Sequence, residues 1–305
     1  MSTKPIKYIL SLIAIITIIN LIFIFLFSFF WRHLESNILL SLLYYFLASF
    51  CSAIFITFFV VASAPVLKDF LATYRQLLRL ENLSHPLLMK LSLEAPGTYH
   101  HSLSVANLAN RAAKAIGADP LLTRVGAYYH DIGKTTHPEY YIENQKGGSN
   151  PHDEINNPKE SAKMIKEHVS EGLRLAQEYH LPKEVTSFIP EHQGTQLSNF
   201  YQKAIGENRK AKKSDFRYGG PKPLSRETAI VMLADVVEAK IRLLEKVSPE
   251  AISITVKQSI DEKIADGQLE LAGLTNREIN QIQSSFMDTL SVMYHQRVRY
   301  KNPIK

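Results

Sequence analysis

Six residues of this sequence stand out, by type and setting, as candidates to hold metal ions: His101, His130, Asp131, His168, His192 and Asp235. Imidazole and carboxylate without cysteine suit a first-row transition metal such as Mn or Fe better than Ca or a structural Zn site. The anchor is His130-Asp131, which ends the helical run Gly126-Ala127-Tyr128-Tyr129 and precedes Ile132-Gly133-Lys134. Alone the pair is a weak signal, because polar residues also close ordinary helix ends. Asp235 is stronger. It interrupts the apolar run from Ala229 to Val237, where a buried carboxylate needs a cationic side chain, a metal or a raised pKa.

The elements that must carry these residues are legible as helical stripes. His101, Val105, Leu108 and Ala112 recur at i, i+4, i+7 and i+11, which puts His101 on the inner face of a helix over 99–116 and turns His100 about 100° away. Over 158–179, Asn157 is the expected N-cap, Pro158 the first helical residue and Glu160 the N3 residue. The inner face there reads Ala162, Ile165, His168/Val169, Gly172/Leu173 and Ala176. After Pro182, a shorter run sets Val185, Phe188, Ile189 and His192 on one side, with Pro190 bending it. The last helix opens with Thr275 and Glu278 as a capping box and carries Ile279, Ile282, Phe286, Leu290 and Met293 as its core stripe. No segment alternates with period two, so the chain is expected to be all-α. Residues 143–157 read as a loop bordering the site. Residues 202–223 read as a basic loop in which Arg217 and Lys222 are candidates to face phosphate.

Composition divides the 305 residues unevenly. Residues 8–31 and 38–67 are apolar stretches separated by Arg32-His33-Leu34-Glu35-Ser36-Asn37. Each is long enough, at about 1.5 Å per residue, to cross a hydrocarbon core of about 30 Å. They predict a transmembrane helical hairpin over 1–67, a juxtamembrane helix over 68–93 lying at the headgroup level, and a third part over 94–305. A cleaved signal peptide fits the first stretch less well, because the stretch is too long and no small-residue cleavage site follows. Lys4 and Lys7 before the first stretch, and Lys68, Arg75 and Arg79 after the second, place both termini in the cytoplasm by the positive-inside rule. The net charge of +6 suits phosphate esters and lipid surfaces alike. The one cysteine, Cys51, lies in an apolar run, which excludes a disulfide framework and a thiolate metal site.

Several separate segments resemble one family. They are Ala95-Pro96-Gly97-Thr98-Tyr99-His100-His101-Ser102, residues 125–134, Tyr141-Ile142-Glu143-Asn144-Gln145 and Asn150-Pro151-His152-Asp153. Phe216-Arg217-Tyr218, Gly220-Pro221-Lys222-Pro223, Met232-Leu233-Ala234-Asp235 and Asp266-Gly267-Gln268-Leu269 continue the series. Over residues 80–300 the chain resembles the HD-domain phosphodiesterases of the bacterial seven-transmembrane HD family, which hydrolyse cyclic di-AMP. The resemblance implies an all-α HD-domain helical bundle behind the hairpin, in the inner membrane of a bacterium with the catalytic domain in the cytoplasm.

It also implies two divalent ions, Mn or Fe, bridged by Asp131. One would be held by His101, His130, Asp131 and Asp235, the other by Asp131, His168 and His192. Such a pair activates a bridging water to hydroxide and clamps a phosphodiester for in-line attack, here giving the linear dinucleotide pApA. Asp131 and Lys134 are the catalytic candidates, with Lys134 offsetting charge on the phosphate. The expected partners are a cyclic dinucleotide and a lipid bilayer, not a nucleic acid duplex; self-association into a homodimer is left open. Two departures stand out. The family carries consecutive histidines where this chain has Glu191-His192-Gln193, so the second ion is expected to bind more weakly, with Gln193 an uncertain ligand. There are also two apolar stretches rather than seven. The Gly-Tyr-Pro signature of cyclic di-GMP enzymes is absent after His192, where Gly194-Thr195-Gln196-Leu197 stands. The alternatives are a phosphohydrolase of another nucleotide or phosphoester, and a weakened cyclic-dinucleotide-binding regulator.

Overall fold

In the computed structural model, residues 38–145, 147, 149–207 and 211–294 are described, with scattered positions between 15 and 29. The chain divides into two compact units, Met1–Gln76 and Leu77–Lys305. The helices that matter are α1 (Ile38–Leu80), α2 (Pro86–Glu94), α3 (Pro96–Ala115), α4 (Pro120–Tyr129) and α5 (Pro158–Glu178). They are followed by α6 (Lys183–Thr186), α7 (Phe188–Glu191), α8 (Arg226–Arg242), α9 (Pro249–Ala265) and α10 (Asn276–Met293). Among the described residues no strand forms; Leu197 and Arg217 make an isolated antiparallel bridge.

Local chemistry sets these boundaries. Proline opens α2, α3, α4, α5 and α9, where a missing N–H costs nothing and the fixed φ suits the first turn. Asp119 and Asn157 cap α4 and α5 with side-chain oxygens, and Ser225 and Thr275 form capping boxes on α8 and α10. The expected bend after Pro182 is a break at Ser187 between α6 and α7, three residues before Pro190. The proline has no N–H to offer the carbonyl of Thr186, so the ladder is interrupted one turn earlier.

The second unit has two main apolar cores. One packs Val105, Leu108 and Ala112 of α3 against Ile230, Leu233 and Val237 of α8, Val256 and Ile260 of α9, and Ile282, Phe286 and Leu290 of α10. Its burial explains why α8 is apolar all round from Ala229 to Ala234. The other gathers Leu77, Leu80, Leu87, Leu88 and Leu91 with Val125, Tyr129, Leu175, Val185 and Ile189. Leu77 to Leu91 thus help build this unit, so part of the 68–93 segment expected at the headgroup level belongs to the helical domain instead. Two stripe residues, Leu173 and Met293, face outward, because each sits at the edge of its helix's apolar arc. The 143–157 loop contains the short helix Pro151–Ile155, capped by Asn150.

The transmembrane hairpin is not found: among the described residues no helix is long and apolar enough to cross a membrane. Most of the first expected span, 8–31, lies outside the described residues.

Candidate metal centre

The six residues picked out by type converge on one point. Ligand atoms of His101, His130 and Asp131 lie within 4.8 Å of one another, as do those of His130, His192 and Asp235, and those of Asp131, His168 and His192. His101 comes from α3, His130 and Asp131 from the end of α4, His168 from α5, His192 from the end of α7 and Asp235 from α8. Asp131 is at the middle: its Oδ2 is 3.2 Å from His130 Nε2, and its Oδ1 is 3.4 Å from His192 Nε2 and 3.6 Å from His168 Nε2. Four histidines and Asp131 are buried. Asp235, expected to be buried, keeps a side-chain exposure of 17% because it faces a cavity.

Each imidazole is oriented from behind. Nδ1 of His130, His168 and His192 donates to the carbonyls of Ala127, Ile165 and Phe188 respectively, leaving each Nε2 aimed at the cluster. His101 differs. Its Nδ1 meets the buried carboxylate of Glu238, whose other oxygen accepts from Arg242, while its Nε2 lies 2.9 Å from Asp235. Residue type alone does not mark Glu238; its position one turn after Asp235 on the same helix was the available signal.

The charges are tightly coupled. Burial works to raise the Asp131 carboxyl, yet the Lys134 ammonium and His130 hold it well below the usual carboxylate range. Burial likewise opposes ionisation of Asp235, and the hydrogen bond from His101 reverses it. In the same way burial works to lower His101, but Asp235 and Glu238 carry it to about 10. Burial takes His168 down to about 4. Lys134 Nζ sits 2.7 Å from Asp131 and 2.8 Å from Glu143, over the ring of Tyr141. Against the pull of burial, these carboxylates keep it charged.

The donors fit a divalent ion on a structural criterion. His130 Nε2 and Asp131 Oδ1 are buried and have no hydrogen-bond partner, a costly state for two polar atoms unless a cation satisfies them.

Above the cluster lies a cavity of about 660 Å³. Lys134, His168, Gln193 and Asp235 reach it from the cluster side, Tyr140, His152, Phe200 and Tyr218 form an aromatic wall, and Lys240, Glu262 and Lys263 form another. Gln193 lies with its amide nitrogen 2.9 Å from His192 Nε2 and its oxygen on the Gln196 amide. The two basic candidates are not brought here. Arg217 pairs with Asp266 at 3.0 Å and donates to the carbonyl of Thr195, and Lys222 pairs with Glu270 at 2.9 Å. Neither lines the cavity, because acidic partners about 50 residues away in sequence hold both.

The comparisons with known proteins agree with this geometry. The HD domain model matches residues 98–240. The chain is 44% identical over 236 residues to the cyclic-di-AMP phosphodiesterase PgpH of Bacillus subtilis, and 42% identical over 231 residues to PgpH of Listeria monocytogenes. These alignments cover 77% and 75% of this chain but 33% and 32% of the relatives, so the chain spans about a third of their length. The crystal structure of the Listeria monocytogenes PgpH HD domain in complex with cyclic di-AMP superposes with a TM-score of 0.67 at 42% identity. That match covers 71% of this chain and all of the solved one. On its helix order, its convergent His and Asp residues and this likeness, the chain belongs to the HD-domain family.

Proposed function

We propose that this protein is a metal-dependent phosphodiesterase that hydrolyses cyclic di-AMP to pApA. The observation that carries the reading is a pair of buried ligand atoms without a hydrogen-bond partner among the described residues, His130 Nε2 and Asp131 Oδ1, in a cluster whose His168 and Asp235 line a cavity. Similarity to a domain crystallised with cyclic di-AMP supports the choice of substrate. His101, His130, Asp131 and Asp235 would hold one divalent ion, and Asp131, His168 and His192 the other, with Gln193 beside the second. Mn or Fe bound there would supply an activated water and positive charge for the phosphodiester.

The chain's own residues do the rest. The carbonyl-bound imidazoles present their Nε2 atoms with the tautomer fixed. Asp131 stays ionised and is shared by both ligand sets. Lys134, charged and on the cavity wall, can donate to a phosphate oxygen as negative charge grows there. The tilted rings of Tyr140, His152 and Phe200, with centroids 5.4 Å and 4.8 Å apart along the series, line the cavity and offer aromatic surface for a purine to pack against.

Residues 1–67 are read as the anchor in a bacterial cytoplasmic membrane, with the helical unit on the cytoplasmic side. Exposed Leu43, Leu47, Phe58, Val61 and Val66 support this, and release by an alkaline carbonate wash would contradict it.

The test of function incubates the Mn- or Fe-loaded full chain with cyclic di-AMP, cyclic di-GMP and mononucleotides and identifies products by mass. pApA as the preferred product is expected. Turnover of mononucleotides alone would overturn the substrate.

A further inference from the structure

Most cations in and around the cavity are already neutralised. Lys134 has Asp131 and Glu143, Lys240 has Glu262 at 2.6 Å, and nearby Arg217 and Lys222 have Asp266 and Glu270. Lys263, near the end of α9, is the exception. It lines the same cavity and is half-buried, yet among the described residues it forms no ion pair. Its ammonium donates to the side-chain oxygen of Gln196, a neutral amide. Burial pushes this lysine below its usual range, and the fields of Asp235, Asp266 and Glu262, none of which pairs with it, offset that only in part.

A charge held this way is ready for an anionic ligand. Binding one would offset the desolvation already incurred, and releasing Gln196 would strand no carboxylate. The field of Asp235 reaches both Lys134 and Lys263, so the two ammonium groups border one pocket around the same carboxylate. Lys134 is beside the metal-binding cluster; Lys263 stands on the wall formed by α8 and α9. A cyclic dinucleotide carries two phosphates, and only one can be at the cluster during a given cleavage.

We propose that Lys263 anchors the phosphate that is not being cleaved, and so favours cyclic dinucleotides over esters with one phosphate. This rests on the phosphodiesterase reading above. Gln196 holds the ammonium in place until substrate arrives, and the phosphate replaces a neutral acceptor with a charged one.

The test compares the metal-loaded full chain with K263M and K263R, using cyclic di-AMP and bis(p-nitrophenyl) phosphate, a diester with one phosphate. For K263M, the ratio of kcat/KM for cyclic di-AMP to that for the nitrophenyl ester should fall by about tenfold or more, the loss of one charge-assisted hydrogen bond. The loss should sit mainly in KM, and K263R should keep the ratio within about threefold of the parent, since it keeps the charge. An unchanged ratio in K263M, whether both substrates suffer equally or neither does, overturns the assignment. Failure of the underlying reading shows separately, in the parent: turnover of the nitrophenyl ester without cyclic di-AMP would refute the substrate and with it the second-phosphate site.

Discussion

Gly133 packs so closely on His168 that a Cβ at position 133 would lie 1.9 Å from the His168 carbonyl oxygen and 2.5 Å from the Gly172 nitrogen. This contact seats the turn after Asp131 directly on α5, at the residue whose own imidazole lies 3.6 Å from the Asp131 carboxylate. Gly133→Ala must therefore push the two apart. We expect a loss of about 1–3 kcal/mol or more in stability, the range for overpacking a tight interior, together with reduced metal content. Thermal unfolding and metal analysis check this; a variant with the parent's melting temperature and metal stoichiometry would show that the close approach is not needed.

Glu238 is the one carboxylate that backs a candidate ligand, accepting from His101 Nδ1, whereas the other three imidazoles rest on carbonyls. Glu238→Gln keeps the shape and an acceptor but removes the charge. Metal affinity at the His101 set should weaken by about 10–100-fold, the usual effect of removing such an outer partner, while helicity stays. Competition against a chelator measures it. Affinity equal to the parent's would reduce Glu238 to a partner of Arg242.

How far the sequence foretold the site depends on the range of the interaction. His101 and His168 are legible because a 3.6-residue stripe is local, and α3 and α5 bury the faces it marks. Asp235 is legible because it breaks an apolar run, but its opening to a cavity is not, since that depends on where α9 and the 193–200 segment lie. Arg217 and Lys222 stand out by charge and by lying in two of the resembling segments, but their partners Asp266 and Glu270 are 49 and 48 residues away, beyond what local pattern can supply. Lys263 escapes a local reading for the converse reason. A lysine in an ordinary helix gives no sign in sequence that it lacks an acid.

Gln193 occupies the place where the resembling family has a second histidine, and its amide lies against His192 Nε2 on the cavity wall. An amide is a poorer donor than imidazole for a transition metal. Gln193→His should thus lower the metal concentration needed for half-maximal hydrolysis of cyclic di-AMP, with a smaller effect on the rate at saturation. Parallel metal titrations of parent and variant decide it, and coincident curves would remove residue 193 from the ligand set.

His101, His130, Asp131, His168, His192 and Asp235 are proposed to form one two-metal centre with Asp131 shared. The most direct measurement is an anomalous-difference map from crystals of the protein grown with Mn²⁺. Two peaks are expected within the cluster, one on the His101 and Asp235 side and one on the His168 and His192 side, both in contact with Asp131. A map with no peak there, or with a single ion that Asp131 does not touch, would contradict it.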